Sequence, residues 1–267
     1  MPSAYLLDLA GTLYSDSGPI PGAVEIVSRL KRSGLPHRFV TNTSSRSRGA
    51  IVERLRNYGF DVEASDIFTA VLAGAQIARQ DEAHVVAPFI DERALADLGE
   101  FELLGGTSGR PAAGERPDAV IVGDLGDRWD YRLMQEAFRF LMDGARLIAL
   151  SRDRYWHRGD GLALDAGAFV VGLEYATATR ARLAGKPSSG FFHAALQSLE
   201  LAVEEDTAGG RDYAMVGDDL WSDVQGAHQA GLAGWLVRTG KFRQDVLESS
   251  DIRPDRIIDS VADLPVG

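Results

Sequence analysis

Short apolar runs that break off into polar clusters recur along this chain, and between them lie stretches with the 3.6-residue periodicity of amphipathic helices. Tyr5 to Leu7 stops at Asp8, His37 to Val40 runs into Thr41-Asn42-Thr43-Ser44, and Tyr213 to Val216 runs into Gly217-Asp218-Asp219. Strands that are apolar throughout are buried on both faces, which places them in a parallel sheet covered by helices. Strands alternating with helices then imply a doubly wound, Rossmann-like α/β core whose ligands bind at the C-terminal ends of the strands.

The helical stretches carry matching apolar faces. Pro21 opens one helix through about Lys31, with Ala23, Ile26, Val27 and Leu30 inward and Gly34 ending it, and a second spans 45–58 with Ile51, Val52 and Leu55 inward. Ser65 or Asp66 is expected to cap a third, through about Arg79. A second alternating series follows: strand 84–88, helix 91–98, strand 118–122, helix 131–142, strand 146–150 and a helix near 168–176. Its segment 105–117 is rich in Gly, Pro and Ala and suits a surface loop. From Leu183 the first pattern resumes, with a helix 189–200, the strand ending at Val216, a helix 222–230 and a strand Gly234 to Val237. The expected organisation is a core formed by 1–79 and 181–267, with a smaller α/β cap domain, 80–180, inserted between its halves.

The net charge of −11 argues against general nucleic-acid or anionic-membrane binding, since both partners attract basic surfaces. Absence of cysteine excludes disulfides, thiolate catalysis and cysteine-ligated metals. No window offers the apolar span of a membrane helix and the N-terminus lacks a basic leader, so a cytoplasmic location is expected.

Asp8, Thr41, Lys186 and Asp218 each lie at or near the end of an expected core strand, so a parallel sheet gathers them in one crevice. Phosphoryl transfer needs a nucleophile, a cation to neutralise phosphate oxygens, and fixed donors. Asp8 supplies a carboxylate, Thr41 a hydroxyl, Asn42 an amide and Lys186 a compact positive charge. Asp8 and Asp218 can hold a hard cation that keeps its waters, which describes Mg²⁺ better than zinc. Adjacent acids at Asp218 and Asp219, with Asp223 close by, repel one another unless a cation offsets them.

Taken in order, Asp8-Leu9-Ala10-Gly11-Thr12-Leu13, Val40-Thr41-Asn42-Thr43-Ser44, Gly185-Lys186-Pro187 and Gly217-Asp218-Asp219 with Asp223 resemble the four motifs of the haloacid dehalogenase superfamily, nearest to its subfamily IIA. The resemblance implies a Mg²⁺-dependent phosphatase acting through an aspartyl-phosphate on Asp8. It implies that the Ala10 main-chain carbonyl and Asp218 join Asp8 on Mg²⁺, that Thr41 and Asn42 bind phosphate, that Lys186 bridges phosphate and nucleophile, and that Asp219 and Asp223 support the metal. The expected partner is a small phosphorylated substrate, and a homo-oligomer is compatible with the family.

Ala10 departs from the pattern, because many family phosphatases carry there a second Asp that protonates the leaving oxygen. General acid-base help is worth about 10²–10⁴-fold, so its lack should hurt alkyl phosphates most and spare pyrophosphate, aryl and acyl phosphates and phosphoramidates. The alternative is a phosphate- or nucleotide-binding module of the same fold without turnover. Phosphonoacetaldehyde hydrolases share Ala and Gly-Thr at these positions, but the short stretch between Asp8 and Thr41 leaves no room for their lysine-bearing cap. Gly123-Asp124-Leu-Gly-Asp127 mimics the last motif, yet no lysine precedes it after Thr41, so it is assigned to a cap loop. Arg152, Arg154 and Arg158, beside Tyr155 and Trp156, are the expected cap residues for substrate recognition.

Overall fold

The structure is a computed structural model and describes residues 1–109, 114–158, 161–201 and 212–266. The chain divides into two compact units. The first comprises Met1–Thr41, Gly49–Phe68 and Lys186–Gly267; the second comprises Asn42–Arg48 and Thr69–Gly185.

A six-stranded sheet forms the first unit, in the order Arg256–Ile258, Ala233–Val237, Tyr213–Gly217, Ala4–Asp8, His37–Thr41, Ile67–Thr69. The first five of these run parallel. From Ala4–Asp8 the chain winds outward through 37–41 and 67–69, then returns to the other side through 213–217, 233–237 and 256–258. The order therefore reverses beside Ala4–Asp8, and an open sheet with such a reversal leaves a crevice beyond the strand ends.

Alternation along the strands supplies both faces. Tyr5, Leu7, Phe39, Val216 and Trp235 pack on one side with Ile26, Val27 and Leu30 of the helix Ala23–Ser33. On the other, Leu236 packs with Leu220 and Val224. Helix Ala23–Ser33 ends where Gly34 takes a φ of 70°, a conformation that costs a residue with a Cβ about 1–2 kcal/mol.

The region after Phe60 departs from expectation. Ser65 and Asp66 do not open the third helix; Ile67–Thr69 is a buried strand, and Thr69 caps the helix Ala70–Gln80 by accepting from the Leu72 N–H at 3.3 Å. Three residues are too few to show a strand period. This helix groups with the second unit because its small-residue face admits the second sheet closely: a Cβ at Gly74 would lie 2.7 Å from the Leu150 side chain. Along the chain the compact units change over at 68/69 and 185/186, with 42–48 also grouped in the second, where the sequence led to divisions at 79/80 and 180/181; Arg182–Leu183 pairs with Arg146–Ala149.

In the second unit a five-stranded sheet has the order Arg182–Leu183, Arg146–Ala149, Ala119–Val122, Val85–Phe89, Glu102–Leu103, all parallel. Helices Tyr131–Met142 and Ala166–Thr177 bury Leu133, Phe140, Val170 and Leu173 against it. Trp129 stacks on Phe89 at 6.0 Å and on Phe169 at 4.6 Å. Residues Glu92–Leu98 form a 3₁₀ helix, tighter than the α-helix expected there. An antiparallel hairpin, Tyr155–Arg158 with Gly161–Leu164, was not expected from the sequence.

Candidate active site

Parallel register sets the site. Leu7 lies opposite both Phe39 and Val216, and Asp8 lies opposite Val40, so Asp8, Thr41 and Asp218 emerge within a residue of one another's strand ends. All are buried, as are Lys186 and Asp223. One carboxylate oxygen from each of Asp8, Asp218 and Asp223 lies within 4.8 Å of the others.

Three buried acids this close need compensation. Lys186 supplies part of it: its Nζ donates to Asp8 Oδ1 at 2.5 Å and to Asp223 Oδ1 at 2.7 Å. Burial alone would depress the Lys186 ammonium, but the charges of Asp223 and Asp8 outweigh it and hold the pKa above the ordinary lysine value. Burial, reinforced by repulsion from Asp8 and Asp223, pushes the Asp218 carboxyl up to about 8. Burial also raises Asp223, to about 6, against the lowering effect of Lys186.

Glycines make room for these groups. Gly11, at φ +82°, and Gly240, at φ +62°, flank Asp218 Oδ2 so closely that a Cβ on either would sit 1.9 or 2.0 Å from it. A Cβ at Gly217 would fall 2.0 Å from Asp223 Oδ2. The Lys241 backbone N–H donates to Asp218 Oδ2 at 2.7 Å, and Thr239 Oγ1 donates to the Gly11 carbonyl at 2.5 Å.

Asp219 is engaged on both oxygens. Oδ1 accepts the N–H groups of Trp221 and Ser222, each at 3.0 Å, and so caps a π-helical turn, Leu220–Gln225, at the start of the segment expected to be a helix from 222. Oδ2 pairs with Lys241 Nζ at 2.9 Å. Burial would raise this carboxyl, but Lys241 and the two N–H donors bring it below the ordinary value. Lys241 escaped the sequence analysis. The available signal was its place after Thr239-Gly240, at the end of a further core strand, Ala233–Val237.

The donor set fits Mg²⁺. Asp223 has both oxygens occupied, by Lys186 and by the Asp219 N–H at 3.1 Å. Asp8 Oδ2 and Asp218 Oδ1 have no hydrogen-bond donor among the described residues. Bonds closing the turn after Asp8 fall on the carbonyls of Leu9 and Tyr14, leaving that of Ala10 outside the turn's pairing. Hard oxygens from a few groups, with space for water, suit a small octahedral cation.

The other expected residues lie as follows. Asn42 follows Thr41 directly and groups with the second unit, where a Cβ at Gly185 would approach its Oδ1 to 2.6 Å. Asp124, in the mimic of the last motif, donates its backbone N–H to Ser44 Oγ at 2.9 Å. Arg152 forks onto the buried carboxylate of Glu174, with both bonds 2.8 Å. Arg154 lies over the Tyr155 ring at 5.8 Å. The side chains of Trp156 and Arg158 lie outside the described residues.

Comparison with known proteins accords with this geometry. A family model described as haloacid dehalogenase-like hydrolase matches residues 5–103, and one for HAD-hydrolase-like proteins matches 183–264. The chain is 40% identical over 240 residues to haloacid dehalogenase-like hydrolase domain-containing protein 2 of Rattus norvegicus, covering 90% of this chain and 85% of that protein. The chain belongs to the haloacid dehalogenase-like hydrolases. Within that family it is 36% identical to the phospholysine phosphohistidine inorganic pyrophosphate phosphatase of Homo sapiens, over 97% of this chain and 91% of the relative. The p-nitrophenyl phosphatase from Archaeoglobus fulgidus superposes with a TM-score of 0.84 at 29% identity, covering 98% of this chain and 97% of that one. A glycerol phosphate phosphatase from Mycobacterium tuberculosis, in complex with magnesium, superposes at 0.80 with 27% identity, over 97% and 76% of the two chains. This haloacid dehalogenase-like hydrolase is an enzyme of the phosphatase type.

Proposed function

We propose that this hydrolase cleaves small phosphorylated substrates in two steps through an aspartyl-phosphate on Asp8, with Mg²⁺ as cofactor. The observation that carries the reading is the division of labour on Asp8, whose Oδ1 is fixed by Lys186 Nζ at 2.5 Å while its Oδ2 has no donor among the described residues. Asp8 Oδ2, Asp218 Oδ1 and the Ala10 carbonyl would hold Mg²⁺, which when bound neutralises the phosphoryl oxygens.

In the first step Asp8 Oδ1 attacks phosphorus and the bond to the leaving oxygen or nitrogen breaks with its electron pair. The negative charge that Asp8 brings leaves with the departing group, while the phosphoryl oxygens keep theirs, and Lys186, anchored from behind by Asp223 at 2.7 Å, is placed to offset them beside the new acyl bond. Thr41 supplies a hydroxyl as a further donor to the phosphoryl oxygens. In the second step water attacks phosphorus, releasing phosphate and restoring the Asp8 carboxylate.

Ala10 offers no proton to the leaving group, so substrates whose leaving group departs unaided are favoured. The name of the human relative, which specifies phospholysine, phosphohistidine and pyrophosphate, supports that preference. Phosphate release from pyrophosphate, p-nitrophenyl phosphate and a sugar phosphate, with Mg²⁺ and with chelator, tests it. Chelator-sensitive turnover that is slowest on the sugar phosphate is expected; equal rates on all three would remove the leaving-group argument.

A further inference from the structure

The loop Thr239-Gly240-Lys241 touches the site at three points, and each contact removes a carboxylate oxygen or fixes a backbone. Its Lys241 N–H covers Asp218 Oδ2 at 2.7 Å, its Lys241 ammonium meets Asp219 Oδ2 at 2.9 Å, and its Thr239 hydroxyl ties down the Gly11 carbonyl at 2.5 Å. Asp219 Oδ1 already accepts two N–H groups. Among the four acids of the site, the oxygens without a donor are Asp8 Oδ2 and Asp218 Oδ1 alone, among the described residues.

We infer that this loop sets the metal selectivity of the site, holding Asp218 to one ligand oxygen and Asp219 to none, so that Mg²⁺ is accepted and Ca²⁺ disfavoured. The inference rests on the proposed metal site. Its physical basis is the difference between the cations: Ca²⁺ takes six to eight oxygens and readily uses carboxylates bidentately, whereas Mg²⁺ requires a compact octahedron and keeps several waters. A second oxygen from Asp218, or a carboxylate from Asp219, is what a Ca²⁺ site would recruit.

Gly240 enables the close approach, since a Cβ there would lie 2.0 Å from Asp218 Oδ2 and 2.6 Å from the Gly11 Cα. The Lys241 side chain is otherwise exposed, at 69% of its accessible surface. Lys241 acts here as a positioning residue, and its backbone N–H on Asp218 and the Thr239 hydroxyl on Gly11 still anchor the loop when the ammonium is removed.

The test is calorimetric titration of Mg²⁺ and of Ca²⁺ into substrate-free protein. Lys241→Met frees Asp219 Oδ2 while keeping the backbone N–H, Lys241→Arg keeps the charge, and Lys31→Met removes an equal charge from the pair with Asp66. In Lys241→Met the affinity for Ca²⁺ relative to Mg²⁺ is expected to rise by about tenfold, as a ligand oxygen is added. Lys241→Arg should return most of that change, and Lys31→Met should leave the ratio at the wild-type value. Equal tightening toward both cations in Lys241→Met would reduce the effect to net charge and overturn the inference, as would an unchanged ratio. Wild-type protein that binds neither cation would instead overturn the metal site itself.

Discussion

Replacing Lys186 with Met keeps most of the apolar stem and removes the ammonium that lies between two buried carboxylates. Lys186 is 5% exposed, and its Nζ is 2.5 Å from Asp8 and 2.7 Å from Asp223. Removing one partner of a buried ionic cluster costs about 3–5 kcal/mol, because the remaining charges are left without compensation. At about 2–4 °C per kcal/mol for a chain of this order of size, the loss corresponds to roughly 6–20 °C in melting temperature. The cost should depend on pH. Asp223 is already raised to about 6 by burial and Asp218 to about 8, and loss of Lys186 removes the lowering influence on Asp223. A carboxyl raised above its unfolded value contributes stability below the unfolded pKa and loses it as pH rises through the folded one. The variant is therefore expected to melt far below wild type at about pH 8 and much closer to it at about pH 5, where both acids take up protons. Thermal melts in chelator, followed by tryptophan fluorescence across that range, measure both. A variant within a degree or two of wild type at every pH would refute the compensation argument.

At the proposed cation site Mg²⁺ would compete with protons for Asp218, whose carboxyl is pushed up to about 8 by burial and by its acidic neighbours. The rise in melting temperature caused by saturating Mg²⁺ should accordingly grow from about pH 5.5 to about pH 8.5, and a pH-independent rise would contradict the placement of the cation. Ala10→Asp should raise kcat on a sugar phosphate by about 10²-fold while changing pyrophosphate turnover much less; no gain in a folded variant would show that the missing acid is not limiting. Arg152→Met should cost about 1–3 kcal/mol, discounted because the arginine is partly exposed, by leaving the Glu174 carboxylate short of a partner; unaltered thermal stability would show that the fork does not hold the second unit together.

How much of this was legible in the sequence depended on how local the signal was. Apolar runs ending in Asp8, Thr41 and Asp218 specified the parallel core and its functional edge, and helix 131–142 matched the structure end to end. The strand Ile67–Thr69 and the strand Arg182–Leu183 were too short to carry a period and so were not legible. The loop Thr239–Lys241 was missed for another reason. Its contacts with Asp218 and Gly11 join residues far apart in sequence, and nothing local distinguishes a backbone N–H aimed at a carboxylate from one aimed at water. The same limit applies to Arg152, whose place beside Tyr155 and Trp156 suggested substrate recognition, while its guanidinium forks onto Glu174, 22 residues further along the chain.

The central claim is that Asp8 becomes phosphorylated. Protein mixed with p-nitrophenyl phosphate and Mg²⁺, quenched in acid within the first turnovers and reduced with borohydride, should carry homoserine at position 8, because the reductant converts an acyl phosphate to an alcohol. Asp8→Asn should show neither the label nor turnover while melting as a folded protein. Homoserine absent from position 8 under conditions of measurable phosphate release, or full turnover in Asp8→Asn, would contradict the account.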